Sequence, residues 1–185
     1  FRFGGIDNPD IYLDETVMRM CYTHRRMFAQ LATRLMEEGK EDKALKLVEY
    51  AEKAIPATTV PHCYASQSLD LARVWAKLGH NEQVGKIVEP VAKTSYEYIE
   101  WYLSLPNHLL VQADEDCMYY MYQLHHSVEL LQATKCPSAG EYIQKLEDCN
   151  RKLQMRLYGE MKVPVTEEEA DVEEDSGELD TASLE

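Results

Sequence analysis

The sequence predicts an all-α protein of about seven helices arranged as antiparallel hairpins. Apolar residues recur at steps of three and four along several long segments, which is the period of a helix with one buried face. No segment alternates convincingly between apolar and polar residues, as a half-buried strand would. Gly39 and Gly79 each follow a helical segment, so two hairpins with short turns are expected.

The first hairpin is predicted to begin at Asp14, which is a suitable N-cap for a first helix running to Gly39. A second helix spans about 41–55 and is followed by Pro56, which cannot continue it. The residues expected on the buried face of the first helix are Met18, Cys21, Tyr22, Phe28, Leu31, Ala32 and Leu35. Those expected on the inner face of the second helix are Ala44, Leu47, Val48 and Ala51.

Five further helices are predicted after this hairpin. Their approximate ranges are 66–78, 81–91, 94–104, 115–134 and 138–158. Pro90 should kink or shorten the segment that starts at Asn81. Thr94 and Glu97 match the spacing of a capping box, so a new helix is expected to start there. Residues 107–113 are expected to form a loop.

Length and charge limit the class of protein. The 185 residues fit one compact domain with a tail, and the net charge of −14 argues against nucleic-acid binding. Ten acidic residues and no basic residue lie within 166–185, which leaves 23 acidic and 19 basic residues elsewhere. We therefore expect an extended lead-in at 1–13, a helical-repeat domain at 14–160 and a disordered acidic tail at 161–185. No apolar run approaches the length of a membrane span, so no membrane insertion is expected.

Groups that could carry chemistry are sparse. The five cysteines lack the spacing of a zinc ribbon or a disulfide scaffold, and most are expected to be buried. Cys21 and His24 share a helix face, where a buried cysteine beside a partly exposed histidine is favoured over a nucleophile with its base. His125 and His126 diverge by about 100° on a helix, so a shared metal ion is not expected. The acidic run at 114–116 is interpreted as the start of a helix. No catalytic residue, cofactor or metal site is predicted.

The first hairpin resembles the tetratricopeptide repeat, in which small residues let two antiparallel helices pack closely. The matching positions are Phe28, Leu31, Ala32, Leu35, Gly39, Ala44, Val48, Ala51 and Pro56. A weaker second copy matches at Leu71, Ala72, Trp75, Gly79 and Val88. Val84 and Val91 stand where the repeat has small residues. The resemblance implies stacked hairpins in an irregular tetratricopeptide-like right-handed superhelix.

Four stretches resemble the C-terminal soluble region of bacterial multi-spanning membrane proteins related to protein O-mannosyltransferase-like glycosyltransferases. They are residues 8–15, 19–25, 60–62 and 100–105. The resemblance implies a helical-repeat domain on the periplasmic side of the inner membrane, attached to a membrane domain that holds the sugar chemistry. The catalytic residues of such a protein would lie outside this chain.

Two surfaces are candidates for binding a partner. The repeat register predicts a concave groove lined by Arg26, Thr33, Met36, Leu69, Arg73 and Lys77. Its cations could pair with a carboxylate or an acidic peptide, although solvated helix-face charges are the favoured interpretation. An aromatic surface is predicted from Tyr98, Trp101, Tyr102, Tyr119 and Tyr122, together with Tyr96 and Tyr120. It could receive a protein or a glycan, with core packing between the two helices as the favoured alternative.

Three functions remain open at this point. The first is a non-catalytic interaction domain of a membrane glycosyltransferase-like protein, which positions protein partners or acceptors or braces the membrane domain. This hypothesis fits a chain that begins at Phe1 without a signal-peptide pattern and looks like part of a longer protein. The second is a free-standing peptide-binding scaffold in the cytoplasm. The third is a small enzyme that uses a thiol or a metal, and it is disfavoured for this fragment.

Overall fold

The computed structural model describes residues 4–159, and every regular element in that range is helical. The seven α-helices of the described chain are α1 Glu15–Glu37, α2 Glu41–Ala54, α3 Ser68–Lys77, α4 Asn81–Ser104, α5 Asn107–Gln112, α6 Asp114–Ala133 and α7 Ala139–Tyr158. A short 3₁₀ helix at Tyr64–Ser66 precedes α3. The all-α prediction is confirmed, and the predicted tail at 161–185 lies outside the described residues. Within the described range, none of the helices combines the length and apolarity needed to span a bilayer.

The two predicted hairpin turns are built alike. Gly39 has φ +70° and its amide donates to the carbonyl of Met36, while the next amide donates to Leu35 at 2.8 Å. Gly79 has φ +81° and makes the same pair of bonds one hairpin later. This paired arrangement satisfies carbonyls at the end of a helix, and the left-handed conformation favours glycine. At the other end of α1, Asp14 caps the helix as predicted, accepting from Val17 N at 2.8 Å.

The buried face of α1 is rotated relative to the predicted one. Leu31 was expected inside, yet its side chain is 51% exposed. Arg25 and Ala29 are buried instead, beside the expected Cys21 and Ala32. The small side chains of Ala29 and Ala32 let α1 pack closely against α2 and α3. Leu31 lies on the face of α1 that points away from these contacts, and it therefore faces solvent.

A single helix, α4, replaces the two helices that were predicted between 81 and 104. Pro90 is exposed and lies within α4 without ending it. The buried stripe runs through the predicted break, from Val88 and Val91 to Ser95 and Ile99. Burial of this continuous stripe against α3 and α6 outweighs the loss of one backbone hydrogen bond at a proline. The predicted loop at 107–113 contains the short helix α5.

The core is divided unequally along the chain. The main core is formed chiefly by α3, α4 and α6, where the buried side chains include Leu71, Ile87, Ile99 and Leu124. A smaller core lies under the start of α1 and consists of Cys21, Ile55 and Val60 with partly buried neighbours. Among the described residues before α1, amide hydrogen bonds from Asn8 to Gly5 O and from Ile11 to Asn8 O close turns, and Leu13 packs on the small core. The handedness of the helical stack stays a prediction.

Candidate binding surface between α4 and α6

Aromatic side chains form a continuous series of ring contacts between α4, the 3₁₀ helix and α6. The rings of Tyr98 and Tyr120 are stacked, with centroids 4.4 Å apart and an angle of 10° between their planes. Tyr120 contacts Tyr119 at 5.5 Å, and Tyr119 contacts Tyr64 edge-on at 5.5 Å. Tyr64 also contacts Tyr122 at 6.3 Å. The series therefore joins three elements that are distant in sequence.

Most of these rings remain accessible to solvent. The exposed fractions are 45% for Tyr98, 53% for Trp101, 45% for Tyr119 and 54% for Tyr122. Tyr64 is partly buried between the last two. These five residues, Tyr64, Tyr98, Trp101, Tyr119 and Tyr122, are called the tyrosine surface below. Aromatic side chains offer large contact area and lose little conformational entropy on binding, which makes such a surface suited to recognition.

One predicted member of the aromatic surface lies elsewhere. Tyr102 is only 9% exposed and belongs to the main core, with its ring 4.8 Å from Trp101 and 6.0 Å from Tyr120. Tyr96 is half-buried and lies under the ammonium group of Lys145, 4.9 Å from the ring centroid. The sequence left open whether the aromatic residues pack in the core or form an exposed surface. Both occur, because some rings pack in the core and others face solvent.

Two adjoining cavities lie against the tyrosine surface. The larger has a volume of about 600 Å³, and its walls are Glu15, Tyr22, His62, Cys63, Tyr64, Ala65, Val91, Thr94, Tyr98, Tyr119, Tyr120 and Gln123. The smaller, about 470 Å³, is lined by Thr94, Glu97, Tyr98 and Trp101. These four positions of α4 recur at steps of three and four, so they share one helix face. Thr94 and Tyr98 border both cavities.

The electrostatic character of the cavities is neutral to acidic. Among the described residues that line them there is no lysine and no arginine, whereas Glu15 and Glu97 are present. Each carboxylate has an exposed cation on its own helix, Arg19 at 2.6 Å and Lys93 at 3.9 Å. Such exposed pairs contribute little, so an incoming cation can replace them. Burial raises the pKa of Tyr64, Tyr119 and Tyr120, so the phenols stay neutral near pH 7.

Sequence reasoning missed two walls of the larger cavity. Tyr64 belongs to the 3₁₀ helix and Tyr22 to α1, and neither has a periodic relation to the aromatic residues of α4 and α6. The sequence signals nearby were the resemblances at residues 19–25, which include Tyr22, and at 60–62. The position of Tyr64 depends on the path of the α2–α3 connection, which a helical period does not specify.

The predicted cationic groove is less accessible to a partner than the sequence suggests. Leu69 is 3% exposed and belongs to the main core, so it cannot contact a partner in this conformation. Arg26 donates to the carbonyl of Ala65 at 2.9 Å, and Arg73 is paired with Asp70 three residues earlier. Lys77 is exposed, whereas Met36 packs partly on the main core and Thr33 bonds its own helix backbone. Two of the three cations are thus engaged within the protein.

Arg25 is a buried charge that the sequence did not reveal. Its side chain is 1% exposed, and its guanidinium donates to the carbonyls of Ile55 at 2.9 Å, Val60 at 2.7 Å and Pro61 at 3.0 Å. Burial lowers the pKa of Arg25, while the carboxylate of Glu52 acts in the opposite direction. The arginine fixes the α2–α3 connection, which carries the residues that wall the larger cavity.

A buried polar chain next to Arg25 has the composition of a hydrolytic triad. His62 lies between Ser68, with Nδ1 3.1 Å from Oγ, and Glu52, with Nε2 3.5 Å from Oε2. Ser68 is fully buried and its hydroxyl is also 2.8 Å from that of Ser66. A nucleophile must reach its substrate, so this arrangement is a structural network in the present conformation.

The remaining chemical candidates have structural partners. Cys21 is 3% exposed and burial raises its pKa, which disfavours the reactive thiolate. His24 Nδ1 lies 2.8 Å from the carbonyl of Met20 on its own helix. At the start of α6, Asp114 accepts from the amide of Glu115 at 2.8 Å, in keeping with the predicted helix start.

Comparison with known proteins adds no relative. No protein-family model matches the chain, and no match was found among curated proteins or among solved structures.

Proposed function

We propose that the chain is a non-catalytic interaction domain that binds a protein segment bearing lysine or arginine on the tyrosine surface. The observation that carries the proposal is the accessible series of aromatic rings around two cavities whose described lining includes carboxylates but neither lysine nor arginine. A basic side chain would meet ring faces, which attract cations, and would exchange the weak pairs of Glu15 and Glu97 for its own.

The tyrosine surface supports this function better than the predicted groove does. A binding surface needs accessible side chains that are not already committed, and four of the five rings are at least 45% exposed. The groove instead has a buried Leu69, while its two arginines make exposed contacts with Ala65 and Asp70 that are as replaceable as those of Glu15 and Glu97. Charge also distinguishes the two surfaces, because the groove would select acidic segments and the cavities basic ones.

The cellular context of the domain forms a second part of the proposal. The resemblance at residues 8–15 and 19–25 supports attachment to a membrane glycosyltransferase-like protein, with the domain on the periplasmic side. The bound segment would then belong to an acceptor protein or to the parent's own membrane domain. This part predicts several membrane-spanning segments encoded upstream of Phe1 in the same reading frame. If that frame encoded none, attachment would be refuted and the cytoplasmic scaffold would become the favoured context.

Binding itself can be tested with defined peptides. The probe is a synthetic Gly-Ser peptide with arginine at alternate positions, and the matched control has glutamate at those positions. Trp101 borders the smaller cavity and reports binding by its fluorescence, while Trp75 is 4% exposed and serves as a constant background. We expect saturable binding of the arginine peptide, weakened about tenfold by Tyr98→Ala.

The control variant is Tyr12→Ala, because Tyr12 is 89% exposed on the segment before α1 and lines neither cavity. It should bind the arginine peptide as the unaltered protein does. Equal binding of the arginine and glutamate peptides, or unchanged affinity in Tyr98→Ala, would refute the proposed surface.

A further inference from the structure

We propose that His125, His126 and Glu129 on α6 form a binding site for a divalent transition-metal ion such as Zn²⁺. One ligand atom from each residue lies within 4.8 Å of the other two. Zinc binds imidazole nitrogen and carboxylate oxygen at about 2.0–2.2 Å in a tetrahedral arrangement, so two ligand atoms of one ion lie about 3.4 Å apart. Binding therefore requires rotation of the exposed side chains of His125 and Glu129.

Glu129 explains how two adjacent histidines can share an ion. Their ring directions diverge on the helix, which led the sequence interpretation to reject a joint site. Glu129 follows them by four and three residues, and therefore lies on the helix surface between both. Its two oxygens face the two rings separately, with Oε1 3.8 Å from His125 Nδ1 and Oε2 2.8 Å from His126 Nδ1. The carboxylate therefore supplies a third ligand within reach of both imidazoles, which the expectation based on the histidines alone did not consider.

The surroundings select which nitrogen of His126 can bind. Its Nε2 is buried and has no hydrogen-bond partner, whereas Nδ1 faces Glu129. The ring packs edge-on against Tyr122 with centroids 4.1 Å apart, which limits its rotation. Nδ1 is therefore the atom that His126 presents to an ion, and binding requires the tautomer in which the ring proton has moved from Nδ1 to Nε2. His125 Nδ1 lies 3.8 Å from the other oxygen of the same carboxylate.

The donor set determines the class of ion. Two imidazole nitrogens and one carboxylate suit zinc and the neighbouring first-row ions better than Mg²⁺ or Ca²⁺, which prefer oxygen alone. The side chains of His125 and Glu129 are 57% and 54% exposed, so solvent can occupy a fourth coordination position. Since Tyr122 belongs to the tyrosine surface, an ion here would lie at the border of that surface. The site does not depend on the proposed peptide binding.

The test is calorimetric titration of the whole chain with ZnCl₂ at pH 7.5, combined with NMR spectra of the histidine ring nitrogens. We expect one site whose occupation shifts the rings of His125 and His126. Removing a ligand by His125→Asn or Glu129→Gln, both at exposed positions, should weaken binding at least about tenfold. The matched control is His108→Asn, because His108 is exposed and lies outside the cluster. Titration at pH 5.5 should weaken binding, since protons compete for the ligands.

The cysteines provide the main competing explanation, because thiolates also bind zinc. A site made by them would keep its affinity in His125→Asn and Glu129→Gln and would leave the histidine ring signals unshifted. Either result would overturn the proposal, as would the absence of zinc binding at millimolar concentration.

Discussion

Arg25 in the first half of the chain and Arg156 in the second fix connecting segments in the same way but at different depths. Arg25 is 1% exposed and donates to three carbonyls of the α2–α3 connection. Arg156 is half-buried and donates to Leu103 O, to Leu105 O at 2.6 Å and to Asn107 Oδ1 at 2.6 Å, where α4 gives way to α5. A guanidinium can satisfy several carbonyls at once in either place.

The difference in burial between the two arginines indicates where the fold depends on a polar group for its stability. The α2–α3 connection packs on the small core, which has three buried side chains among the described residues, and a buried charge adds to these contacts. In the second half the main core already holds α4 against α6, and Arg156 adds only an outer contact. The first half therefore should be fragile to polar substitutions that the second half tolerates.

The largest loss of stability is expected from Arg25→Met. The substitution leaves the buried carbonyls of Ile55 and Val60 without a donor, which should lower the free energy of unfolding by about 3–5 kcal/mol. Urea denaturation followed by circular dichroism measures the change. Arg26→Met is the matched control, because Arg26 is exposed and donates to one carbonyl only. This substitution should lower the free energy of unfolding by less than about 1 kcal/mol. Similar costs for the two variants would show that burial is not the cause.

The two cores should also differ in thiol reactivity. Burial raises the pKa of Cys149 in the main core to about 11, with Glu100 acting in the same direction. Only about one thiol in a thousand is then ionised at pH 8, so labelling should be slow and should accelerate about tenfold per pH unit up to pH 10. Cys21 in the small core should react faster. Mass spectrometry of iodoacetamide-treated protein measures both, and faster labelling of Cys149 would contradict the difference between the cores.

A smaller loss of stability is expected from Arg156→Met. Water can replace the guanidinium at partly exposed carbonyls, so the free energy of unfolding should fall by about 1 kcal/mol. The same urea experiment measures it. A loss as large as that of Arg25→Met would mean that the two arginines are equivalent, and the comparison of depth would be wrong.

The smallest effects test whether the two hairpin turns are equivalent. An alanine at Gly39 or Gly79 meets no atom within 4 Å, so its cost arises only from the left-handed backbone. Each substitution should lower the free energy of unfolding by about 1 kcal/mol, and asparagine should cost less than alanine. Unequal costs would show that the turns are held by different contacts despite their matching hydrogen bonds.

Local signals in the sequence predicted the helix ends well. Asp14 caps α1, and Gly39 and Gly79 end α1 and α3, because each depends only on neighbouring backbone groups. Pro90 misled the prediction, since a buried stripe on both sides of it keeps α4 continuous. That stripe acts through contacts with α3 and α6, which a proline rule does not include.

The candidate site was predicted less completely than the fold. Tyr98, Trp101, Tyr119 and Tyr122 were found from their density in the sequence, and they are exposed. Tyr64 was missed because it joins the series only through the folded connection between α2 and α3. The metal site proposed on α6 departs from the sequence expectation because that expectation weighed only the mutual angle of the two histidines, without the carboxylate of Glu129 one turn further on.

We expect a partner to bind the tyrosine surface and not the groove that the repeat register suggests. Chemical-shift mapping of ¹⁵N-labelled protein titrated with the arginine peptide distinguishes the two surfaces. The largest shifts should occur at the amides of Tyr98, Trp101 and Tyr119, while those of Arg73 and Lys77 stay in place. Shifts confined to Arg73 and Lys77 would contradict it.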